Sequence, residues 1–102
     1  MPVALLLGGC GLLPTASCDF RPIQPRCQEK RDTVSAEVFK GTCAGAMWHA
    51  SDGECPKDGQ VGGCNLGKQG DGSTVIDWYY PPETAQSVAV MCGNGQTIFV
   101  AP

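Results

Sequence analysis

Seven cysteines constrain this chain more than any other feature of its sequence. No two of them have the Cys-x-x-Cys spacing that is typical of zinc sites and redox motifs. Only one histidine, His49, is available to complete a metal site. The cysteines therefore predict a disulfide framework, in a protein exported to an oxidising compartment such as the bacterial periplasm, with no metal ion and no cofactor.

The N-terminus carries a short apolar segment, residues 3–7, that leads into Leu7-Gly8-Gly9-Cys10. Spanning a bilayer needs about 20 apolar residues, so this segment is a targeting element and not a transmembrane helix. The motif resembles the signal of bacterial lipoproteins, in which a leucine and two small residues precede a lipid-modified cysteine. The resemblance implies a diacylglyceryl group and an acyl chain such as palmitate at Cys10. Because Gly11 follows, it also implies the outer membrane, on its periplasmic or its surface face. The alternative is an apolar N-terminus with a chance cysteine.

With Cys10 assigned to lipid, an even number of cysteines remains for disulfides: Cys18, Cys27, Cys43, Cys55, Cys64 and Cys92. Six cysteines allow fifteen pairings, and sequence alone does not choose among them. Closure of short loops favours Cys18–Cys27 and Cys55–Cys64. The third predicted pair, Cys43–Cys92, joins the ends of two predicted helices.

The chain divides into three predicted segments. Residues 1–9 are the signal segment, whose beginning we expect upstream of Met1. Residues 10–26 contain three prolines and no apolar periodicity, and we expect an extended tether because proline fixes φ and removes a backbone donor. Residues 27–102 form the predicted domain, which is so small that disulfides of about 2–4 kcal/mol each would supply much of its stability.

Apolar periodicity predicts two helices, one in residues 32–45 and one after the Pro81-Pro82 pair. Short strands are predicted at 46–49, 60–63, 74–80 and 97–100, and the segment 74–80 has the β-branched and aromatic composition that is typical of a strand. The predicted fold class is α+β. Two helices pack on one face of a small, mainly antiparallel sheet of three or four strands, closed by three disulfides.

The two predicted helices belong to a pattern that repeats at an offset of 49 residues. Each helix has a cysteine in its last turn and is followed by a glycine-containing stop and an apolar strand. The pattern is either a duplication or two similar solutions of one packing problem. The corresponding positions are Phe39 and Val88, Cys43 and Cys92, and Gly45 and Asn94.

Few residues in the chain suggest catalysis. A lone histidine near a tryptophan, such as His49, is more often a packing or surface residue than a catalytic one. Asp71 with Asp77, and the acidic residues of 52–58, could be paired carboxylates for calcium or acid catalysis, but acidic residues in glycine-rich turns usually form the turns themselves. An enzyme would need a concave pocket that gathers Asp71, Asp77 and His49. We therefore predict no catalytic residues.

Three consecutive aromatic residues, Trp78, Tyr79 and Tyr80, lie in the predicted strand 74–80 and precede two prolines. Alternation along a strand puts Trp78 and Tyr80 on one face and Tyr79 on the other. If helices cover only one face, one of these rings is exposed. An exposed tyrosine beside prolines suits binding of a glycan, a peptide or a protein partner. The alternative is that the cluster forms the main hydrophobic core.

The pattern of Cys-Pro, Val-Gly-Gly-Cys, Trp-Tyr-Tyr and Cys across residues 27–102 is similar to that of small cysteine-rich lipoproteins of Gram-negative bacteria. That resemblance implies no catalytic residues. It implies a membrane-anchored envelope lipoprotein, a non-enzymatic structural or interaction module with an envelope protein or a glycan as partner. The alternative function is an unlipidated secreted or periplasmic ligand-binding or inhibitor domain that uses the Tyr79–Pro82 surface. The net charge of −3 and the mixed charges of residues 19–32 provide no nucleic-acid footprint.

Overall fold

The computed structural model describes residues 13–93 and 98–102, in which the chain forms two helices and a six-stranded antiparallel sheet. The helices are α1 (Ala36–Gly45) and α2 (Ala85–Cys92). The strands are β1 (Ala16–Asp19), β2 (Arg26–Arg31), β3 (His49–Asp52), β4 (Gly62–Lys68), β5 (Thr74–Tyr79) and β6 (Ile98–Val100). The α+β class is therefore confirmed, whereas the predicted count of three or four strands is too low.

Both helices form where the periodicity predicts them, but their first residues are set by local backbone geometry. Helix α1 begins at Ala36, later than predicted, because Asp32 has a φ of 56° and so lies outside the helical region. Helix α2 is preceded by Thr84, whose side chain accepts a hydrogen bond from the backbone N–H of Ser87 at 3.1 Å. The Ser87 hydroxyl accepts in return from the backbone N–H of Thr84 at 2.9 Å, which completes a capping box.

The tether predicted over residues 10–26 is wrong from Ala16 onward. Residues 16–19 form β1, which pairs with β2 on one side and with β3 on the other, and Ala16 is fully buried. Neither β1 nor β3 has β-branched residues or an alternating apolar pattern. Both are strands because their neighbours supply the backbone hydrogen bonds, which a local sequence pattern does not reveal.

The order of the strands across the sheet is β3-β1-β2-β5-β4-β6, and all neighbours are antiparallel. This order divides into two halves with the same topology. In each half a hairpin of two strands is followed by a helix and then by a third strand. The third strand pairs with the outer edge of the hairpin's first strand. The halves are β1-β2-α1-β3 and β4-β5-α2-β6, and they join through β2 and β5.

The repeat predicted from the two helices extends through the sheet. Gln28 of β2 and Asp77 of β5 are 49 residues apart and face each other where the halves meet. At the same offset, Ala50 on the outer strand of the first half corresponds to Phe99 in the second. One cross-strand row therefore contains equivalent residues of both halves, in the order Ala50, Cys18, Gln28, Asp77, Cys64 and Phe99. The pair Gly45 and Asn94 includes a residue outside the described part of the chain.

Because this row lies on one face of the sheet, it shows where the two helices pack. Cys18 is bonded to Cys43 of α1, and Cys64 is bonded to Cys92 of α2. Both helices therefore cover the same face, as predicted, and we call it the helix face. The opposite face, which we call the loop face, is covered by the segment that contains Cys55, which is bonded to Cys27 of β2.

Three disulfides are confirmed, but all three predicted pairings are wrong. Cys18 and Cys27 point to opposite faces of the sheet, so they cannot pair. The disulfide that contains Cys55 lies on the loop face, and the one that contains Cys64 lies on the helix face. Helices α1 and α2 pack over opposite ends of the sheet, which separates Cys43 from Cys92. The observed pairs instead join each strand cysteine to the segment that covers its face: Cys18–Cys43, Cys27–Cys55 and Cys64–Cys92.

A buried carboxylate lies in the core of the loop face. The Glu29 side chain is only 1% exposed. Its Oε1 accepts hydrogen bonds from the backbone N–H of Cys55 at 2.8 Å and from Trp78 Nε1 at 3.1 Å. The Arg31 guanidinium pairs with its Oε2. The hydrogen bond from Cys55 links the covering loop to the sheet strand that carries Glu29. The two donors and the charge of Arg31 offset the cost of burying the Glu29 carboxylate.

Candidate functional site

The aromatic residues predicted for binding lie mainly in the core. Trp78 and Tyr80 are 4% and 2% exposed and pack on the loop face. The Tyr80 hydroxyl donates to the carbonyl oxygen of Pro56 at 2.5 Å, and burial raises the pKa of this phenol, which keeps it a donor. Tyr79 lies half-buried on the helix face, against the cluster around Val88. The predicted alternation is confirmed, and Tyr79 is the ring of the three that is partly accessible.

The structure does not bring Asp71, Asp77 and His49 together. Asp77 binds the side chain of Gln28 and pairs with Arg26, whereas Asp71 pairs with Lys30. His49 lies on β3 at the edge of the sheet, and two strands separate β3 from the β5 strand of Asp77.

The other predicted groups are equally separate. Within residues 13–93 and 98–102, no three His, Cys, Asp or Glu side chains could hold a metal ion together. Asp52 pairs with Lys40 at 2.5 Å, and Glu54 pairs with Lys57 at 2.8 Å. Cys10, the predicted lipidation site, lies outside the described residues.

A pocket of about 300 Å³ opens on the helix face of the first half, between α1 and the sheet. We call it the aromatic pocket, because three of its eight lining residues are aromatic. The Cys18–Cys43 disulfide lies between the helix and the sheet beside them. The complete lining is Cys18, Phe20, Gln28, Phe39, Thr42, Cys43, Ala46 and Trp48.

The rings of this pocket are held in place by their neighbours. Phe20 and Trp48 meet edge to face, with ring centroids 5.0 Å apart and planes at 84°. The Arg26 guanidinium stacks on Phe20, with its central carbon 4.2 Å from the ring centroid. Lys30 Nζ lies 6.0 Å from the centroid of the Phe39 ring. The chain's own cations therefore occupy one side of each phenylalanine.

Gln28 supplies a polar group of defined orientation to the pocket. Its Nε2 donates to Asp77 Oδ1 at 3.0 Å. An ionised carboxylate can only accept, so the nitrogen of this amide must face Asp77. No other described residue donates to Gln28 Oε1. The pocket therefore contains an amide oxygen that can accept a hydrogen bond.

The charges next to the pocket are balanced. Arg26 Nη1 lies 3.3 Å from Asp77, and Lys30 Nζ lies 3.4 Å from Asp71. Hydrogen bonds from the Ser73 hydroxyl and backbone, together with Lys30, hold the pKa of Asp71 well below its usual range. Because each cation is paired with a carboxylate and none lines the pocket, the cavity itself is uncharged.

The position of the second half that is equivalent to Phe39 lies in a buried cluster. Position 88 corresponds to Phe39, and there Val88 is fully buried with Cys64 and Cys92 in a core cluster. Phe39, by contrast, is only half-buried and lines an open cavity. Among the described residues, the same ββαβ scaffold with the same strand-to-helix disulfide therefore has a buried cluster around Val88 in one copy and an open pocket beside Phe39 in the other.

Two other apolar surfaces lack such a set of groups. A concavity of about 400 Å³ lies beside Leu13 and the start of α1. Of its polar side chains, Thr33 and Ser35 bond to each other at 3.0 Å, and Glu37 and Asp52 pair with Lys40. Val90 and Met91 of α2 and Ile98 and Phe99 of β6 are exposed apolar side chains. Neither surface combines aromatic walls with an available polar group.

The three pocket rings belong to separate predicted elements of the sequence. Phe20 fell in the predicted tether, Phe39 on the core face of a helix and Trp48 in a strand. The signal that could have indicated the pocket is the presence of three aromatic residues within the segment 20–48. The strand pairing that brings them together was not available from the sequence.

Comparison of the chain with protein-family models, with curated proteins and with solved structures finds no match. Within the described residues, no helix has the length and apolar character needed to cross a membrane. The fold and the pocket together define the class: a small, disulfide-closed α+β protein of two repeated halves, with an open aromatic pocket in the first half.

Proposed function

We propose that this chain is a lipid-anchored protein of the bacterial outer membrane that binds a ligand or partner through the aromatic pocket and has no catalytic activity. The observation that carries the binding role is the contrast between the halves. Val88, at the position equivalent to Phe39, is fully buried against the strand-to-helix disulfide of the second half. An open cavity with aromatic walls at the equivalent place is typical of a binding site.

The proposed location rests on the sequence and on the cross-links. Leu7-Gly8-Gly9-Cys10 resembles a lipoprotein signal. Three disulfides account for the other six cysteines, and a chain so cross-linked is typical of an oxidising compartment. Lipid at Cys10 would give the remaining cysteine a role.

The alternative, an unlipidated secreted or periplasmic binding or inhibitor domain, differs at Cys10 and in the surface used. Its surface, Tyr79–Pro82, offers the exposed prolines 81 and 82 and one half-buried ring. The aromatic pocket offers three rings and a hydrogen-bond acceptor. We therefore favour the pocket as the binding site.

The test is the intact mass of the protein extracted from membranes of its native host, with and without reduction. We expect a mass increased by a diacylglyceryl group and an acyl chain, and a gain of about six daltons on reduction of three disulfides. A Cys10→Ser variant is the matched control and should lose the lipid mass while keeping the gain on reduction. A wild-type chain without added lipid would exclude the anchored protein and favour the secreted alternative.

A further inference from the structure

We propose that the aromatic pocket binds a neutral aromatic ring that carries one hydrogen-bond donor, such as a phenol or an indole. This inference rests on the proposed binding function and names the ligand chemistry of the same site. It follows from the size of the cavity, its walls, its charge and its one oriented polar group.

The size of the pocket limits the ligand. A volume of about 300 Å³ is at the lower end of the range for small-molecule sites. Such a cavity accommodates one ring or two fused rings. Its walls are Phe20, Phe39 and Trp48, and aromatic pairs prefer edge-to-face or offset contacts of the kind that Phe20 and Trp48 already make. A flat ring is therefore the shape that gains most from these walls.

The charge of the surroundings excludes ions as preferred ligands. No charged side chain lines the pocket, so a ligand anion or cation would lose hydration without gaining a counter-charge. Aromatic cages can bind cations through the ring faces. Here Arg26 and Lys30 already lie over Phe20 and Phe39, so a ligand cation would meet like charges. A neutral ligand avoids both costs.

The oriented amide selects the polar end of the ligand. Because Gln28 Nε2 donates to Asp77 Oδ1 at 3.0 Å, the group that Gln28 can offer to a ligand is its Oε1, which only accepts. A phenol O–H or an indole N–H can donate to it while the ring contacts the aromatic walls. Thr42 lines the pocket and is exposed, so a bulky side chain at this position would block entry.

The experiment is an NMR titration of the oxidised full-length chain with indole and with 1-methylindole, which has the same ring without the donor. We expect indole to shift the side-chain signals of Gln28 and Trp48 and to bind about fivefold more tightly than 1-methylindole, the ratio that one hydrogen bond of ordinary net strength gives. In Gln28→Leu this preference should disappear. Equal binding of the two compounds to the wild-type chain would overturn the proposal.

Two variants of helix α1 locate the site without altering the core. Thr42→Phe should fill the mouth of the pocket and abolish indole binding. Ala44→Phe adds the same ring at an exposed position of the same helix outside the pocket lining, and it should bind indole as the wild type does. Indole binding that survives Thr42→Phe would place the ligand elsewhere and refute the assignment.

A phenol or indole can be a free small molecule or the side chain of a partner protein, and a further arm distinguishes these sources. N-acetyl-tryptophanamide carries the ring on a blocked backbone. If it binds as tightly as indole, the site accepts a side chain of a polypeptide, and if only indole binds, the site takes a free small molecule. Binding of neither compound would overturn the proposal. The mass measurement at Cys10 is independent of this titration, so failure of one leaves the other result intact.

Discussion

The two ββαβ halves of this protein have the same topology and the same strand-to-helix disulfide, yet they differ in what lies between helix and sheet. In the second half Val88 is fully buried beside Cys64 and Cys92. In the first half Phe39 is half-buried and the space beside it is open. The difference indicates that a covalent link can hold a helix on a sheet where side-chain packing is incomplete. A cross-linked copy is therefore free to keep a cavity.

Removal of each link should have the largest effect on stability. The disulfides Cys18–Cys43 and Cys64–Cys92 close loops of similar length, with sequence separations of 25 and 28. Replacing either pair by alanine should therefore lower the free energy of unfolding by about 3–4 kcal/mol, if loss of chain entropy dominates. Urea denaturation of the two double variants measures this. If removing Cys18–Cys43 lowers the free energy of unfolding several-fold less than removing Cys64–Cys92, other contacts hold helix α1 on the sheet.

The closed and open interiors should respond differently to truncation. Val88→Ala removes two methyl groups from a fully buried site and should cost about 2 kcal/mol, through lost burial and a new cavity. Phe39→Ala removes a larger but half-exposed ring that borders an existing cavity, so we expect a loss of about 1 kcal/mol, together with loss of ring binding. Urea denaturation and the indole titration measure both effects. A larger stability loss for Phe39→Ala than for Val88→Ala would reverse the distinction between the halves.

The loop face also differs between the halves. Gly63 of β4 is opposite Trp78, and a Cβ there would lie 2.7 Å from Trp78 Cε3 and 3.0 Å from the carbonyl oxygen of Asp77. Gly63→Ala should therefore cost about 1–3 kcal/mol by overpacking. The corresponding position of the first half, which is opposite Glu29, already carries a side chain in Ser17. Gly70→Ala, with nothing within 4 Å of its Cβ, is the control and should be nearly neutral in thermal denaturation. A neutral Gly63→Ala would mean that the Trp78 ring moves freely.

The smallest expected effect concerns acid. Hydrogen bonds from Ser73 and the charge of Lys30 lower the pKa of Asp71, and Arg21 lowers the pKa of Asp19 although burial alone would raise it. A depressed pKa in the folded state stabilises the fold above the unfolded value of about 3.9, and this contribution is lost as the pH falls below it. Asp71→Asn should therefore flatten the decline of the urea midpoint between pH 5 and about pH 2.5. An unchanged slope would show that neither the hydrogen bonds of Asp71 with Ser73 nor its ion pair with Lys30, which joins the halves, contributes to stability in this range.

Periodic segments were the predictable part of the fold. Ala85, Val88 and Cys92 recur at helical spacing and form α2. The β-branched and aromatic run of β5 forms a central strand with Trp78 and Tyr79 on opposite faces. These elements are predictable because the residues that each one buries recur at the spacing of the element itself, as Val88 and Cys92 do in α2, although Ala85 is exposed.

The pairing partners could not be predicted, because they depend on which face each strand presents. The four-residue strands β1 and β3 have no pattern of their own. Because β1 has no recognisable pattern, the sequence does not show that Cys18 and Cys27 point to opposite faces of the sheet. Loop closure alone therefore predicts the wrong disulfide. The aromatic pocket was missed for the same reason, since β1 and β3 position Phe20 and Trp48.

The pair at the centre of the sheet also governs which chains can assemble. Gln28 and Asp77 are equivalent positions of the two halves, and they meet at 3.0 Å across the junction of β2 and β5. If a second half paired in this register with a copy of itself, two Asp77 carboxylates would face each other, and like charges directly opposite in a sheet are destabilising. Within one chain the two halves are different at this position, so the Gln28 amide faces the Asp77 carboxylate and donates a hydrogen bond to it. The difference at one position thus disfavours pairing between the second halves of neighbouring molecules, whereas a first half can pair with a second half in this register.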